Sequence, residues 1–327
     1  EIHERLVGSE MCIRDRDLIF YILFTSGTAG ILNKILFSGT HRMMAQEAVR
    51  RIDSLLAEPS VVESTLARIP DRNDVEFQDV TFTYPGGKTP ALTHLSFQIP
   101  EGKTVALVGA SGSGKTTAAA LIPRFWDAQE GAVCIGGVPV PQIPKYELMN
   151  RIAFVFQDSR LLKASILENV RASRPDATRE QVMEALRAAQ CDDILEKLPK
   201  GMDTVLGSKG VYLSGGEQQR IALARAILKD APIVLLDEAT AFADPENEHK
   251  IQIAFERLTK GKTVLMIAHR LPTIQNADEI LVLEQGSIAE RGTHDALMER
   301  NGIYASMWRD YQTSVAWNIG KETHHAS

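Results

Sequence analysis

The eight residues Gly109-Ala110-Ser111-Gly112-Ser113-Gly114-Lys115-Thr116 constrain the fold more than any other feature of the chain. They match the Walker A pattern. They follow a continuous apolar run, Thr104-Val105-Ala106-Leu107-Val108, of the kind that forms a parallel strand buried on both faces, and they open a helix. Glycines at these positions let backbone N–H groups curl around phosphate oxygens, and the helix N-terminus adds a partial positive charge. Lys115 is placed to reach the β- and γ-phosphates of a nucleotide, and Thr116 to ligate a magnesium ion. With ordinary residue frequencies, such a pattern arises by chance in roughly one chain in a hundred. A glycine-rich turn with no ligand is the weaker reading.

A second apolar run, Ile233-Val234-Leu235-Leu236, ends in Asp237-Glu238. A carboxylate at the C-terminal end of a strand beside a phosphate loop can hold a magnesium shell, which assigns Asp237 to the metal. Glu238 can accept a proton from an attacking water. Further strand runs are 152–156 and 263–267, with a helix-rich stretch over 165–229 in which Thr178 and Gln181 form a capping box. Val75-Glu76-Phe77 and Val80-Thr81-Phe82-Thr83-Tyr84 alternate like two antiparallel strands, with Pro85-Gly86-Gly87 as a turn. Strands alternating with helices predict a mostly parallel sheet with helices on its faces.

Ahead of this domain, 18–37 is mostly apolar, and a helix of ~20 residues spans a bilayer core. Its small central residues suit close packing in lipid. From 39 to 58 the pattern is helical and amphipathic, with Met44, Ala48, Ile52 and Leu55 on one stripe and Pro59 as its stop. Residues 1–16 differ in character: Val7-Gly8-Ser9-Glu10-Met11-Cys12-Ile13-Arg14-Asp15-Arg16 resembles a translated transposon-type sequencing adapter. That reading makes 1–16 an assembly artefact and places the natural amino terminus upstream. The expected division is 1–16 artefact, 17–58 a last transmembrane helix with its cytoplasmic extension, 59–73 linker, 74–312 the α/β domain and 313–327 a polar tail.

The net charge of −6 argues against a nucleic-acid-binding surface. The three cysteines lack paired spacing, so neither a disulfide framework nor a zinc site is implied, and Cys134 and Cys191 read as small buried hydrophobes.

The run Leu213-Ser214-Gly215-Gly216-Glu217-Gln218-Gln219-Arg220 sets a second anion-seeking helix end far along the chain from the first. Ser214 and Glu217 form a capping box, so a helix starts here with free N–H groups. One monomer holding one nucleotide has little use for two such ends. On this run the chain resembles the ATP-binding-cassette (ABC) proteins, whose signature sequence it matches; the resemblance covers 74–312, and 17–58 resembles the last transmembrane helix of fused exporter-fold members. The implied fold is a phosphate-loop α/β nucleotide-binding domain with a mostly parallel core sheet, an antiparallel β subdomain and a helical insertion, preceded by the end of an α-helical transmembrane domain.

The resemblance implies a function and a site. ATP and Mg²⁺ are the implied ligands. The nucleotide-contacting residues are Tyr84, which matches the aromatic that stacks on adenine; Gly109, Ala110, Ser111, Gly112, Ser113, Gly114, Lys115, Thr116 and Thr117 of the phosphate loop; Ser214, Gly215, Gly216 and Glu217 of the signature, which grips the ATP of the opposite subunit; and Asp244 of the D-loop. Gln157 matches the Q-loop glutamine, which senses magnesium and water, and His269 the switch histidine; with Glu238 they form the catalytic set. Thr116, Gln157 and Asp237 form the metal set. Implied partners are a second half-transporter, identical or related, the upstream transmembrane domain and the membrane, with no nucleic acid. The implied location is the inner cell membrane, multi-pass, with the cassette in the cytoplasm. Two departures stand out: Ala241-Phe242-Ala243 precedes Asp244 where serine, alanine and leucine are usual, and Ser208 stands where the X-loop carries glutamate. The D-loop wording resembles a siderophore-uptake branch, which leaves import and export both open. A soluble ABC ATPase of DNA repair or translation is a rival, but it would lack the 18–37 helix, and the stretch 117–212 is too short for the coiled coil of the repair type. A separate importer ATPase subunit would lack that helix too, and a non-hydrolysing subunit would not need Glu238 and His269.

Overall fold

Strand β3 (Thr104–Val108) organises the molecule, because it is buried on both faces and its alternate residues enter different cores. Val105 and Leu107 pack with Ala118, Leu121, Leu235 and Ile267, while Ala106 and Val108 pack with Ile280, Val282, Leu297 and Tyr304. This period of two is what a continuous apolar run becomes when both faces of a sheet are covered. Each fully buried Val, Leu or Ile contributes about 1.5–3 kcal/mol relative to exposure.

The computed structural model describes residues 15–57, 66–156, 160–207, 211–237, 245–268 and 271–313. The chain divides into two units, Glu1–Val62 and Glu63–Ser327.

The first unit is described as one helix, α1 (Asp15–Leu56), about 60 Å long at the standard rise. The apolar stretch and its amphipathic extension form one continuous helix. Among the described residues it is the helix long and apolar enough to cross a membrane, and none of its apolar window is buried. The hydroxyls of Thr25, Ser26, Thr28, Ser38 and Thr40 each donate to a carbonyl three or four residues back, at 2.6–3.0 Å. That back-bonding lets small polar residues sit in an apolar helix without an unpaired donor.

The second unit holds two sheets. A four-stranded antiparallel sheet runs β2-β1-β4-β5, from β1 (Val75–Phe82), β2 (Leu92–Ile99), β4 (Glu130–Ile135) and β5 (Val138–Pro139). The two strands expected over 75–84 are one. Its register shifts between Phe77 and Val80, where Asp79 adopts a left-handed φ of 50°. The extra residue of this bulge resets the alternation, so Val75, Phe77, Val80 and Phe82 all face the core.

The second sheet has the order β10-β9-β3-β8-β7-β6, with β6 (Ile152–Val155), β7 (Ile233–Asp237), β8 (Thr263–Ile267), β9 (Glu279–Glu284) and β10 (Ser287–Gly292). All neighbours are parallel except the β9–β10 hairpin. Helix α2 (Lys115–Leu121) follows β3, and α3 (Lys145–Arg151) leads into β6. The helical insertion comprises α4 (Ile166–Arg171), α5 (Arg179–Ala188), α6 (Asp192–Lys197) and α7 (Gly215–Lys229), whose apolar sides pack on Val234 and Leu236. Helices α8 (Pro245–Thr259) and α9 (His294–Arg300) and a last helix over 303–313 complete the unit. Cys134 and Cys191 are buried as expected, and burial pushes the Cys191 thiol up to about 12.

The capping box read from the sequence is present: Thr178 Oγ1 accepts from the Gln181 N–H at 3.3 Å, and Gln181 Oε1 accepts from the Thr178 N–H at 2.9 Å. Thr178→Ala is expected to cost about 1 kcal/mol. In urea titration the midpoint falls while the slope is unchanged; an unaltered midpoint would show that the box adds nothing.

Candidate functional site

At the end of β3 the chain turns through three left-handed glycines, Gly109 (φ 144°), Gly112 (φ 79°) and Gly114 (φ 102°). Two of them are also crowded: a Cβ on Gly109 would lie 2.2 Å from the Leu283 carbonyl oxygen, and one on Gly114 would lie 2.6 Å from that of Ala91. Helix α2 starts at Lys115 with no side-chain cap. The loop is braced from behind. The Gly286 N–H, in the β9–β10 turn, donates to the Ser113 carbonyl at 3.2 Å, and the Gly286 carbonyl accepts from Thr93 at 2.9 Å.

Lys115 is only 4% exposed. Its Nζ donates to the Gly109 and Ala110 carbonyls, both at 2.9 Å, and to Ser113 Oγ at 3.4 Å. The loop therefore holds an ammonium among its own oxygens, next to the N-terminus of α2. Both features attract an anion with several oxygens.

Parallel pairing aligns the strand ends. Leu107 is opposite Ile267, and Ile267 is opposite Asp237. Two strand spacings put Asp237 about 10 Å across the sheet from Leu107, two residues short of the loop. Asp237 is buried at the end of β7. Ligands of parallel α/β sheets bind at this edge, outside the carboxyl ends of the strands. Gln157, Glu238, Asp244, His269 and Ser208 lie outside the described residues. The strands that lead toward Gln157, Glu238 and His269 are the adjacent β6, β7 and β8.

The signature run begins α7. Ser214 Oγ accepts from the Glu217 N–H at 3.3 Å, and Glu217 Oε2 accepts from the Ser214 N–H at 2.9 Å. Ser214 and Gly215 are exposed, and Gly216 is buried against Asn247, whose Cβ would stand 3.0 Å from an added Cβ. The side-chain partners of Ser214 and Glu217 are each other and Lys197. None of these bonds reaches the chain's own phosphate loop.

The sequence model of the ABC transporter family matches residues 92–241, which contain both motifs. This domain belongs to the ABC transporter family. The chain is similar to the ATP-dependent lipid A-core flippase of Escherichia coli K12, with 50% identity over 235 residues, covering 72% of this chain and 40% of the flippase. It is similar to the flippase of that name from Chromobacterium violaceum, with 41% identity over 291 residues, covering 88% of this chain and 50% of that protein. Among solved structures, it resembles a bacterial Atm1-family ABC exporter with ATP bound, at a TM-score of 0.74 and 37% identity, covering 82% of this chain and 47% of that one. The chain thus spans about half the length of the relatives it matches, or less. These relatives carry the names of a flippase and an exporter, which does not favour the siderophore-uptake alternative.

In this ABC domain Tyr84 lies just past the end of β1, and its hydroxyl is 3.0 Å from Thr117 Oγ1 on the first turn of α2. Phe82 and Trp126 meet its ring edge-to-face, at 4.9 and 5.4 Å. The side chain of Gln129 pins the strand end by bonding both the N–H and the carbonyl of Thr83, each at 2.8 Å. Trp126 and Gln129 carried no motif in the sequence; a large aromatic in the polar stretch after α2 was the only hint.

If Tyr84 stacks on adenine, Tyr84→Leu removes base–aromatic stacking of about 1–3 kcal/mol and weakens ATP binding about five-fold or more. Tyr84→Phe keeps the ring and loses one hydrogen bond, so it shifts affinity by less than about five-fold. Fluorescence titration with a labelled ATP analogue separates these; equal effects of Leu and Phe would contradict stacking.

Proposed function

We propose that this chain is the ATP-driven end of an ABC exporter subunit, which pairs with a second subunit to sandwich two ATP molecules and power movement of an amphipathic, lipid-like solute across the membrane. One observation carries the reading. The chain has two anion-seeking helix ends, Lys115 with its loop and the capped start of α7, and the polar contacts of the second do not reach the first. An exposed Ser214-Gly215 start then serves the nucleotide of a partner subunit, identical or related.

Each residue has a role in this reading. The loop N–H groups and Lys115 hold the β- and γ-phosphates, and Tyr84 holds the base. Thr116 and Asp237 offer a hydroxyl and a buried carboxylate, the hard oxygen donors that suit Mg²⁺, with Gln157 as a third ligand. Bound there, the ion neutralises charge on the phosphates. Glu238 takes a proton from the attacking water, His269 contacts the γ-phosphate, and Asp244 faces the opposite subunit. The solute class follows the flippase relatives. Helix α1 then serves as the last transmembrane segment of a multi-pass domain in the inner membrane, with 59–73 as linker and the cassette on the cytoplasmic side, where ATP is available.

Glu238→Gln removes the base without changing shape. In the full-length protein it is expected to lower ATP turnover by about a hundred-fold or more while ATP holds the two cassettes together on size-exclusion chromatography. Turnover at the wild-type rate would contradict the assigned role.

A further inference from the structure

The last residue of the signature run, Arg220, is 1% exposed and heads the fully buried large side chains. A buried guanidinium requires a partner. It finds Asp193 on α6, with Nη1 donating to Oδ1 at 2.7 Å and Nη2 to Oδ2 at 3.1 Å, and Nη1 also donates to the Gln190 carbonyl. Asp193 is shared. Its Oδ2 accepts from Lys250 Nζ at 3.0 Å, and Lys250 lies on α8. One carboxylate thus joins α6, α7 and α8. Burial works to raise the Asp193 pKa, but the hydrogen bonds from Arg220 and Lys250 outweigh it and hold the group well below the usual carboxylate range. It is charged at neutral pH.

The two helices joined here begin at functional places. Helix α7 opens with Ser214-Gly215-Gly216, and α8 opens at Pro245, directly after the segment that carries Glu238 and Asp244. Their first turns meet closely, since a Cβ on Gly216 would stand 3.0 Å from that of Asn247. Together the contact and the carboxylate fix α7 against α8 at two levels.

We infer that Asp193 is a positioning residue that locks the signature helix to the helix following the Glu238–Asp244 segment, so that seizing the partner's ATP with Ser214 resets this subunit's own hydrolytic segment. The inference rests on the composite ATP site proposed above. A packed, charged link transmits displacement: loss of one partner leaves a buried charge uncompensated, so the helices move together rather than slide. Lys250 is the arm to cut. Its side chain is 25% exposed, so methionine preserves the apolar stem and leaves the Arg220–Asp193 pair intact.

The test uses the full-length transporter in lipid nanodiscs, with steady-state ATPase activity measured across ATP concentration for wild type, Lys250→Met, Lys250→Arg and Asp193→Asn. Thermal melting and binding of a non-hydrolysable ATP analogue are measured alongside. Lys250→Met is expected to bind the analogue like wild type and to melt normally, yet to lose kcat by about five-fold or more with its Hill coefficient falling toward 1. Lys250→Arg restores both, and Asp193→Asn moves in the same direction as Lys250→Met. Wild-type kcat and Hill coefficient in Lys250→Met, with a cooperative wild type, overturn the positioning role alone. A loss that Lys250→Arg does not relieve overturns it too, since the charge is then not the cause. A wild type that hydrolyses ATP without cooperativity instead contradicts the composite site, and this inference falls with it.

Discussion

A buried ammonium must be ringed by oxygens, and the way this chain meets that demand at Lys115 sets much of the structure around it. The ring consists of the Gly109 and Ala110 carbonyls and the Ser113 hydroxyl. The loop that presents those carbonyls has left-handed backbone at Gly109 and Gly114, where neighbouring backbone leaves no room for a Cβ. The turn in turn needs a rigid origin. Strand β3 provides one, because it lies inside a parallel sheet with an apolar layer on each face. Gly286 then ties the loop to the antiparallel sheet through Ser113 and Thr93.

The same parallel pairing decides where the acid falls. Leu107, Ile267 and Asp237 occupy one row, so a carboxylate at the end of β7 comes near a loop at the end of β3 although far away in sequence. The helical insertion adds the second anion-seeking end, on α7, and packs it onto the other face of β7 through Val234 and Leu236. In the proposed reading, a cassette built this way grips phosphate with its own loop and offers the exposed start of α7 to its partner's nucleotide. The single carboxylate of Asp193 links α7, which carries the signature run at its start, to α8.

The parts legible in the sequence are those where backbone geometry dictates residue type. The apolar run 104–108 is β3 as expected, and 263–267 is β8. The capping boxes at Thr178 and Ser214 hold because a helix start leaves N–H groups that only a few side chains satisfy. The misreading of β1 has a physical cause. The bulge at Asp79 breaks the alternation of β1 and makes one strand look like two. The helix expected over 18–37 does run unbroken through the small and polar residues 25–30, whose hydroxyls bond back to the helix's own carbonyls. The Asp193–Arg220–Lys250 link and the Tyr84–Thr117 contact left no trace, because long-range pairing of side chains has no period and no fixed spacing. The catalytic assignments to Gln157, Glu238 and His269 rest on the motifs alone.

The central claim is that each ATP is held by the phosphate loop of one subunit and the signature helix of the other. Heterodimers of the full-length protein carrying Lys115→Ala and Ser214→Arg test it most directly, through their ATPase activity. With one lesion on each subunit, a composite arrangement leaves one site with both elements intact and the other with neither. With both lesions on one subunit, each site is missing one element. The account predicts ATPase activity in the split arrangement and its loss when both lesions share a subunit. The opposite pattern, activity only when both lesions share a subunit, would mean that each chain uses its own signature, and would contradict the account.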